Sequence, residues 1–296
     1  MLDYKLIEAL AMVIQEGGFD KAAGKLHLTQ SAISQRVRLL EENAGQILLT
    51  RTSPPVPTSA GIRFLKHYHQ VKRLEGDLDG SIFTHSNKQH ESLSIALNAD
   101  SLETWFTKAV DPFLRENSHI TLDIKVDDQE ETHKMLKNGE VAGCISARKS
   151  PIQGCTATSI GIMNYRLIAT PAFIGRYFPE GLTLKSVAHA PAVIFNRKDN
   201  LHTIVLKKVF KKTISHLPAH YVPSTEKFAE FIIKGHAYGV IPDEQSSVFL
   251  SSGELIDLAP DHNIPVELYW HCWNIKSKLL QKFTEALSSG MNTARS

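Results

Sequence analysis

Residues 19–44 hold two helical apolar patterns separated by only three residues, His27-Leu28-Thr29. In the first, Phe19, Ala22, Ala23 and Leu26 recur at i, i+3, i+4 and i+7; the second runs from Gln30 to about Ala44 through Ile33, Val37 and Leu40, with Ala32 beside them. So short a break has room only for a tight turn. The two helices must therefore cross at once, and the small Ala22-Ala23 pair lets them approach closely. Upstream, Leu6, Leu10, Val13 and Ile14 form another amphipathic stretch that Gly17-Gly18 ends.

The opposite face of the second helix is polar. Gln30, Ser31, Ser34, Gln35 and Arg38 fall at i, i+1, i+4, i+5 and i+8, and Arg36 and Arg38 supply cations. Amide and guanidinium groups make paired hydrogen bonds to adenine and guanine edges in the major groove. Small serines permit close approach and bond phosphates. Periodicity alone fits a plain helical bundle with a solvated face equally well. The short turn, the small-residue contact and the Gln/Ser/Arg stripe favour a reader of DNA.

The segment FDKAAGKLHLTQSAISQRVRLLEENAGQILLTR resembles the N-terminal signature of the LysR-type transcriptional regulators. In that family A-A-x-x-L-x-x-[ST]-Q-[SP]-A-[VI]-S precedes V-x-x-L-E and a Leu-Leu-x-Arg wing. The match covers Ala22, Ala23, Leu26, Thr29, Gln30, Ser31, Ala32, Ile33, Ser34, Val37, Leu40, Glu41 and Arg51. The resemblance implies a winged helix-turn-helix over residues 1–57, with Thr29, Gln30, Ser31, Ser34, Gln35, Arg36, Arg38 and Arg51 facing double-stranded promoter DNA. The wing departs from the pattern: Leu49 stands where the family has Phe, and Ser53-Pro54-Pro55-Val56-Pro57 replaces a more basic loop. Prolines stiffen that loop and fewer cations reach phosphate.

Residues 58–90 read as a connecting helix and hinge. Thr58-Ser59-Ala60-Gly61 resembles the family's T-x-A-G start, with Thr58 or Ser59 as N-cap. Ile62, Leu65, Tyr68, Val71, Leu74, Leu78 and Ile82 then recur every three or four residues, a stripe narrow enough for a two-stranded coiled coil. An amphipathic helix packed on its own domain is the alternative; the resemblance implies pairing into homodimers that assemble to a homotetramer. Two recognition helices give a usable specificity ratio where one reads only a few base pairs. Ser86 to His90 reads as a polar hinge.

From residue 91 the pattern changes to strands alternating with helices: SLSIAL, TLDIKVDD, VAGCIS, YRLIAT, APAVIF, YGVIP and VELYWHCW are strand-like. Such alternation implies an α/β domain with mainly parallel sheets, whose ligands sit in a crevice at the carboxyl ends of strands. The region resembles the two-lobed effector domain of LysR-type regulators, itself like periplasmic binding proteins, with one lobe over 91–166 and 269–296 and the other over 167–268. NADSLETW, VDDQEET, GEVAG, YFPEG, GELIDLAP and LYWH resemble the branch that controls arginine and lysine export, also described as inhibitors of chromosome initiation. By that likeness Asn98, Asp100, Ser101, Thr104, Asp127, Asp128, Gln129, Ser146, Ser224 and Thr225 lie near strand ends as effector contacts. Hydroxyls and helix N-terminal amides suit a carboxylate, and Asp100 with Asp127-Asp128 suits a cationic side chain such as that of lysine or arginine. The same residue types also cap helices as a matter of course.

Other chemistry finds little support. The 42% hydrophobic and 22% charged content is that of an ordinary soluble globular chain, and a net charge of +2 announces no bulk nucleic-acid affinity. No apolar run spans a bilayer, and Glu8 and Glu16 interrupt the only stretch that resembles a leader, so a cytoplasmic location is expected. Cys144, Cys155 and Cys272 lack CxxC spacing; Cys155 is the candidate for a redox-sensing alternative. His216 and His220 have helical spacing with Pro218 between them, which argues against a metal site. No phosphate loop or nucleophile elbow points to an enzyme, and no cofactor is expected. An architectural or replication-control DNA-binding protein without an effector, and a solute binder retaining a helical N-terminus, are the rival readings. RNA polymerase is a further candidate partner.

Overall fold

The computed structural model describes residues 2–82, 90–214 and 216–293; the expected hinge, His90 excepted, lies outside the described residues. Helices α1 (Tyr4–Gln15), α2 (Phe19–Lys25) and α3 (Gln30–Ala44) enclose Ile7, Leu10, Val13, Ala22, Ile33 and Val37, all fully buried. The α2–α3 break is a tight turn with His27 in the left-handed region, and the Thr29 hydroxyl caps α3 by accepting from the Ala32 amide at 3.2 Å. A two-stranded wing follows, β1 (Leu49–Thr50) antiparallel to β2 (Val56–Pro57). Leu48 and Leu49 anchor it in the helical core, so leucine serves at the position where phenylalanine was expected.

The long helix α4 (Ser59–Ile82) starts where Thr58 Oγ1 accepts from the Gly61 amide and donates to the Ile47 carbonyl. Gly61 is required by contact: a Cβ there would lie 1.9 Å from the Leu48 carbonyl oxygen. The expected continuous stripe along α4 divides. Leu65 and Tyr68 are absorbed by the DNA-binding core of the same chain, while Leu74 and Leu78 remain exposed at 40% and 55%. Between them Arg73 is buried, pairing with Asp77 on α4 and with Glu91 on the next domain.

That domain begins with β3 (Glu91–Leu97) and α5 (Ala99–Ser101), which passes through a π-helical turn (Leu102–Phe106) into α6 (Thr107–Glu116). There follow β4 (Ile120–Val126), α7 (Gln129–Asn138), β5 (Gly143–Ser146) and the long β6 (Cys155–Ala169). Next come α8 (Pro171–Tyr177), α9 (Leu184–Val187), β7 (Ala192–Ile194), α10 (Leu201–Phe210), β8 (Ala219–Tyr221) and α11 (Thr225–Ile233). Then β9 (Tyr238–Pro242), α12 (Asp243–Ser252), β10 (Ile256–Asp257), β11 (Ile264–Trp273) and α13 (Lys278–Thr293) complete the chain.

One sheet runs β4-β3-β5-β11-β6-β9-β7-β8, with β10 also on β6. Its two ends are parallel, β3 beside β4 and β5, and β7 beside β8 and β9. Its middle is not. β6 and β11 pair antiparallel from Ile264–Tyr165 to Trp273–Cys155, so the sheet is mixed rather than mainly parallel. These two strands carry the chain from one lobe to the other and back. Their antiparallel course leaves a crevice between the lobes, flanked by the carboxyl ends of β3, β4 and β7.

Candidate DNA-reading face and effector cleft

On α3 the buried side consists of Ile33, Val37 and Leu40. Gln30, Ser31, Gln35 and Arg38 are exposed on the other side, Ser34 half-buried between the two. The Thr29 hydroxyl, besides capping, lies 3.0 Å from the Ser31 hydroxyl. Arg38 holds an exposed i,i+4 pair with Glu42, Nε to Oε1 at 2.9 Å. Arg36 is half-buried and sits about 160° around the helix from Arg38 at 100° per residue, away from the stripe it was grouped with. Arg51, just beyond β1, is exposed at the wing. Glu41, matched only as part of the motif, fixes the wing to α3. Its Oε1 accepts from the Leu48 amide at 2.8 Å and from the Leu49 amide at 3.4 Å.

Between the lobes lies a cleft of about 730 Å³, a size suited to a small organic molecule. Of the expected effector residues, Asn98, Asp100, Asp127, Asp128, Gln129 and Thr225 line it. Ser101, Thr104, Ser146 and Ser224 do not. Ser101 is fully buried with its hydroxyl toward the Met163 sulfur at 3.8 Å, and Thr104 donates to the Asp100 carbonyl at 2.6 Å. Ser146 accepts from the Arg148 amide, and Ser224 caps α11 through the Lys227 amide.

The cleft also contains residues that the linear pattern did not single out, among them Tyr165, Phe195, Lys198, Asp199, Phe228 and Gln245. Tyr165 lies at the crossing of β6 and donates to Asp100 Oδ2 at 2.9 Å. Burial pushes the Asp100 carboxyl up to about 6 against the opposing Tyr165 hydrogen bond, helped by the nearby negative charges of Asp199 and Glu244. Burial likewise raises the Tyr165 hydroxyl well above its ordinary range. Asp199 is fixed by the Phe195 and Leu201 amides. Asp128 caps α7 through the Glu130 and Glu131 amides, and its second oxygen receives the Lys198 ammonium at 2.6 Å across the cleft. That bond, more than anything else, draws the Asp128 carboxyl below its usual value. Among the described lining residues Lys198 is the one lysine or arginine.

The three cysteines are buried as free thiols. Burial lifts Cys144 to about 12 and also raises Cys155, so neither resembles the low-pKa thiolate that oxidant sensing uses. Cys155, the redox-sensing candidate, is buried at the start of β6 opposite Trp273. Among the described residues no His/Cys/Asp/Glu group is arranged to hold a metal ion, and no helix is long and apolar enough to cross a membrane.

A winged helix-turn-helix, a long connecting helix and two lobes around an acidic cleft define a DNA-binding regulator governed by a small molecule. Residues 4–62 match the bacterial regulatory helix-turn-helix protein model of the lysR family, and residues 86–292 match the LysR substrate binding domain. The chain belongs to the LysR family of transcriptional regulators. It is 42% identical over 289 residues to the HTH-type transcriptional regulator ArgP of Pseudomonas aeruginosa PAO1, covering 97% of this chain and 95% of that one. ArgP of Aeromonas salmonicida is 40% identical over 288 residues, with 97% and 96% covered. The crystal structure of ArgP from Mycobacterium tuberculosis superposes with a TM-score of 0.89 at 32% identity, covering 98% and 97% of the two chains. Full-length LysG of Corynebacterium glutamicum with bound effector Arg superposes at 0.80 and 29% identity, with 99% of each covered. These relatives are regulators rather than enzymes.

Proposed function

We propose that the chain controls transcription in the cytoplasm by binding promoter DNA through α3 and the wing, in response to a basic amino acid held between its lobes. The reading divides the chain into a DNA-binding unit (1–57), a linker (58–90) and an effector domain (91–296). Gln30, Ser31, Ser34, Gln35 and Arg38 face the bases, with Thr29 and Arg51 toward phosphate, while Arg36 lies around the helix from this face. The observation that carries the effector assignment is the Asp100 carboxyl. It is buried in the cleft beside Asp199, hydrogen-bonded by the neutral Tyr165, and among the described residues no lysine or arginine pairs with either acid. A buried carboxylate short of a cation is the complement of a lysine or arginine side chain. The effector Arg bound in LysG of Corynebacterium glutamicum is of this chemical class.

The exposed Leu74 and Leu78 support pairing of two linker helices into a homodimer, and two dimers into a homotetramer with RNA polymerase as a further partner. Switching requires the ligand to favour one assembly state over another, since equal affinity for both shifts nothing.

The test is binding to the DNA upstream of the chain's own gene, at fixed salt, with and without lysine or arginine. A ligand-dependent change in affinity or footprint supports the reading. Specific binding that ignores both amino acids overturns the effector assignment, and indifference to DNA sequence favours an architectural protein. Gln30→Ala or Arg38→Ala should weaken specific binding by about 1–3 kcal/mol where the side chain bonds a base. Unchanged affinity in both variants would overturn the assignment of the reading face.

A further inference from the structure

The Lys198–Asp128 ion pair joins the two lobes across the cleft, and each partner stands on a fixed mount. Asp128 Oδ1 is committed to the Glu130 and Glu131 amides, leaving Oδ2 for the ammonium. On the other lobe, Asn196 Oδ1 accepts from the Lys198 and Asp199 amides, and Asp199 in turn accepts from the Phe195 and Leu201 amides. The backbone under both charges is thus held by its own hydrogen bonds. The long Lys198 side chain, 64% exposed, is what moves between them.

An amino acid entering this cleft brings three charges, not one. Its side-chain cation has a place at Asp100. Its α-carboxylate is repelled by the acids, and Lys198 is the one lysine or arginine among the described lining residues to receive it. Its α-ammonium needs a carboxylate, and Asp128 offers the oxygen that Lys198 now occupies. Parallel strands β3 and β4 pair Leu97 with Val126, so Asp100 and Asp128 stand just beyond the ends of neighbouring strands. Adjacent strands are about 4.8 Å apart. The two acids thus line one cleft from adjacent strand ends, the placement that a ligand with a cation at each end requires.

We propose that the Lys198–Asp128 pair is the receptor for the α-amino acid head group, which inserts between the two charges. One ion pair becomes two: Asp128 takes the α-ammonium and Lys198 takes the α-carboxylate, while the lobes stay tied through the ligand. The inference rests on the basic-amino-acid reading and adds a requirement to it. The site selects free amino acids over amines of the same side chain, because an amine leaves Lys198 without its anion. Lys198 is in this sense a specificity-determining residue.

The experiment compares L-lysine with cadaverine, which is lysine without its carboxylate, by calorimetric titration of the full-length protein, of Lys198→Met and of Lys198→Arg. Lys198 is a surface side chain, and matching melting curves establish that the variants fold. The wild type should bind lysine more tightly than cadaverine. Lys198→Met should lose about tenfold in lysine affinity, the scale of one partly exposed charge-assisted hydrogen bond, and bind cadaverine no more weakly than the wild type does, because no lysine side chain then competes for Asp128. Lys198→Arg should restore most of the loss. Unchanged lysine affinity in Lys198→Met, tighter lysine binding, or an equal loss for both ligands would overturn the proposal. A wild type that binds lysine but not more tightly than cadaverine overturns it and leaves the basic-ligand reading standing. If the wild type binds none of lysine, arginine and cadaverine, that earlier reading fails before any substitution is compared, and the head-group receptor falls with it.

Discussion

Gly139, at the C-terminal end of α7, lies so close to Lys66 of the linker helix that a Cβ on it would come within 2.7 Å of the Lys66 Cα. Its backbone is left-handed, with φ of 79°, the conformation that ends α7. The opposite end of the same helix, from Asp128 to Glu130, lines the effector cleft. One short helix therefore reaches from the cleft to the arm that carries the DNA-binding unit. Gly139→Ala meets both objections at once, a Cβ in the left-handed region and a backbone in the way. The expected cost is about 1–3 kcal/mol, read as a lower melting temperature than that of the parent. Melting at the parent temperature would show that the two helices separate freely at this point.

Glu41 supports a second prediction. Its carboxylate receives the Leu48 and Leu49 amides where the chain leaves α3 for the wing, and both donors are otherwise turned into a buried corner. Glu41→Ala leaves those amides unsatisfied and should cost about 1–3 kcal/mol. Glu41→Gln keeps an acceptor oxygen and should cost clearly less. Denaturant unfolding of the two variants, run together, decides it: equal losses would mean that the contact matters through charge rather than through acceptance.

What could be read from the linear chain follows from how local each signal is. The α2–α3 turn, the polar stripe on α3 and the cap at Thr58 all depend on residues within one or two turns of each other, and they are legible for that reason. Asp100, Asp127 and Asp128 were legible because strand ends in α/β folds face a crevice. Tyr165, Lys198 and Asp199 were not. They reach the cleft because β6 crosses from lobe to lobe and because the loop after β7 folds back, and neither fact has a local signature. The first ten residues of β6, from Cys155 to Asn164, are small and polar in most places and showed no strand pattern. Pairing along β11 makes them a strand, a tertiary effect that overrides propensity. The alternation of strands and helices likewise gave the parallel ends of the sheet but not its antiparallel middle. Arg36 was grouped with Arg38 by residue type, though its angular position separates them.

The thiols provide a third prediction. Cys144 is fully buried in β5 and held near pKa 12 by that burial, with the other two thiols close enough to raise it further. Reaction with a thiol reagent proceeds through the thiolate, so at pH 8 Cys144 and Cys155 should react far more slowly in the native protein than in the unfolded chain, and burial should shield Cys272 from the reagent as well. Counting labelled cysteines by mass, with and without denaturant, checks this. Rapid native labelling of Cys155 would reopen the redox-sensing alternative.

The final prediction concerns pH and Asp100. Its carboxyl titrates near 6 in the folded protein, against an ordinary 3.8, chiefly because burial disfavours the charged form. Between those values the folded chain holds a proton that the unfolded chain has released, so stability falls as pH rises. The contribution is fully present below about pH 4 and is lost once pH passes about 6. Asp100→Asn carries no charge and still accepts from Tyr165. It should match the parent in stability near pH 4 and exceed it at pH 8 by on the order of 2–3 kcal/mol. Ligand binding turns the sign around. A cationic side chain pairs with the ionised carboxyl, so affinity for lysine should rise with pH up to about 6 and level off above it, with proton release on binding below that value. Calorimetry in two buffers of different ionisation enthalpy measures that release directly. A lysine affinity flat from pH 5 to 8, with no proton released at pH 5, would mean that the ligand's cation does not meet Asp100.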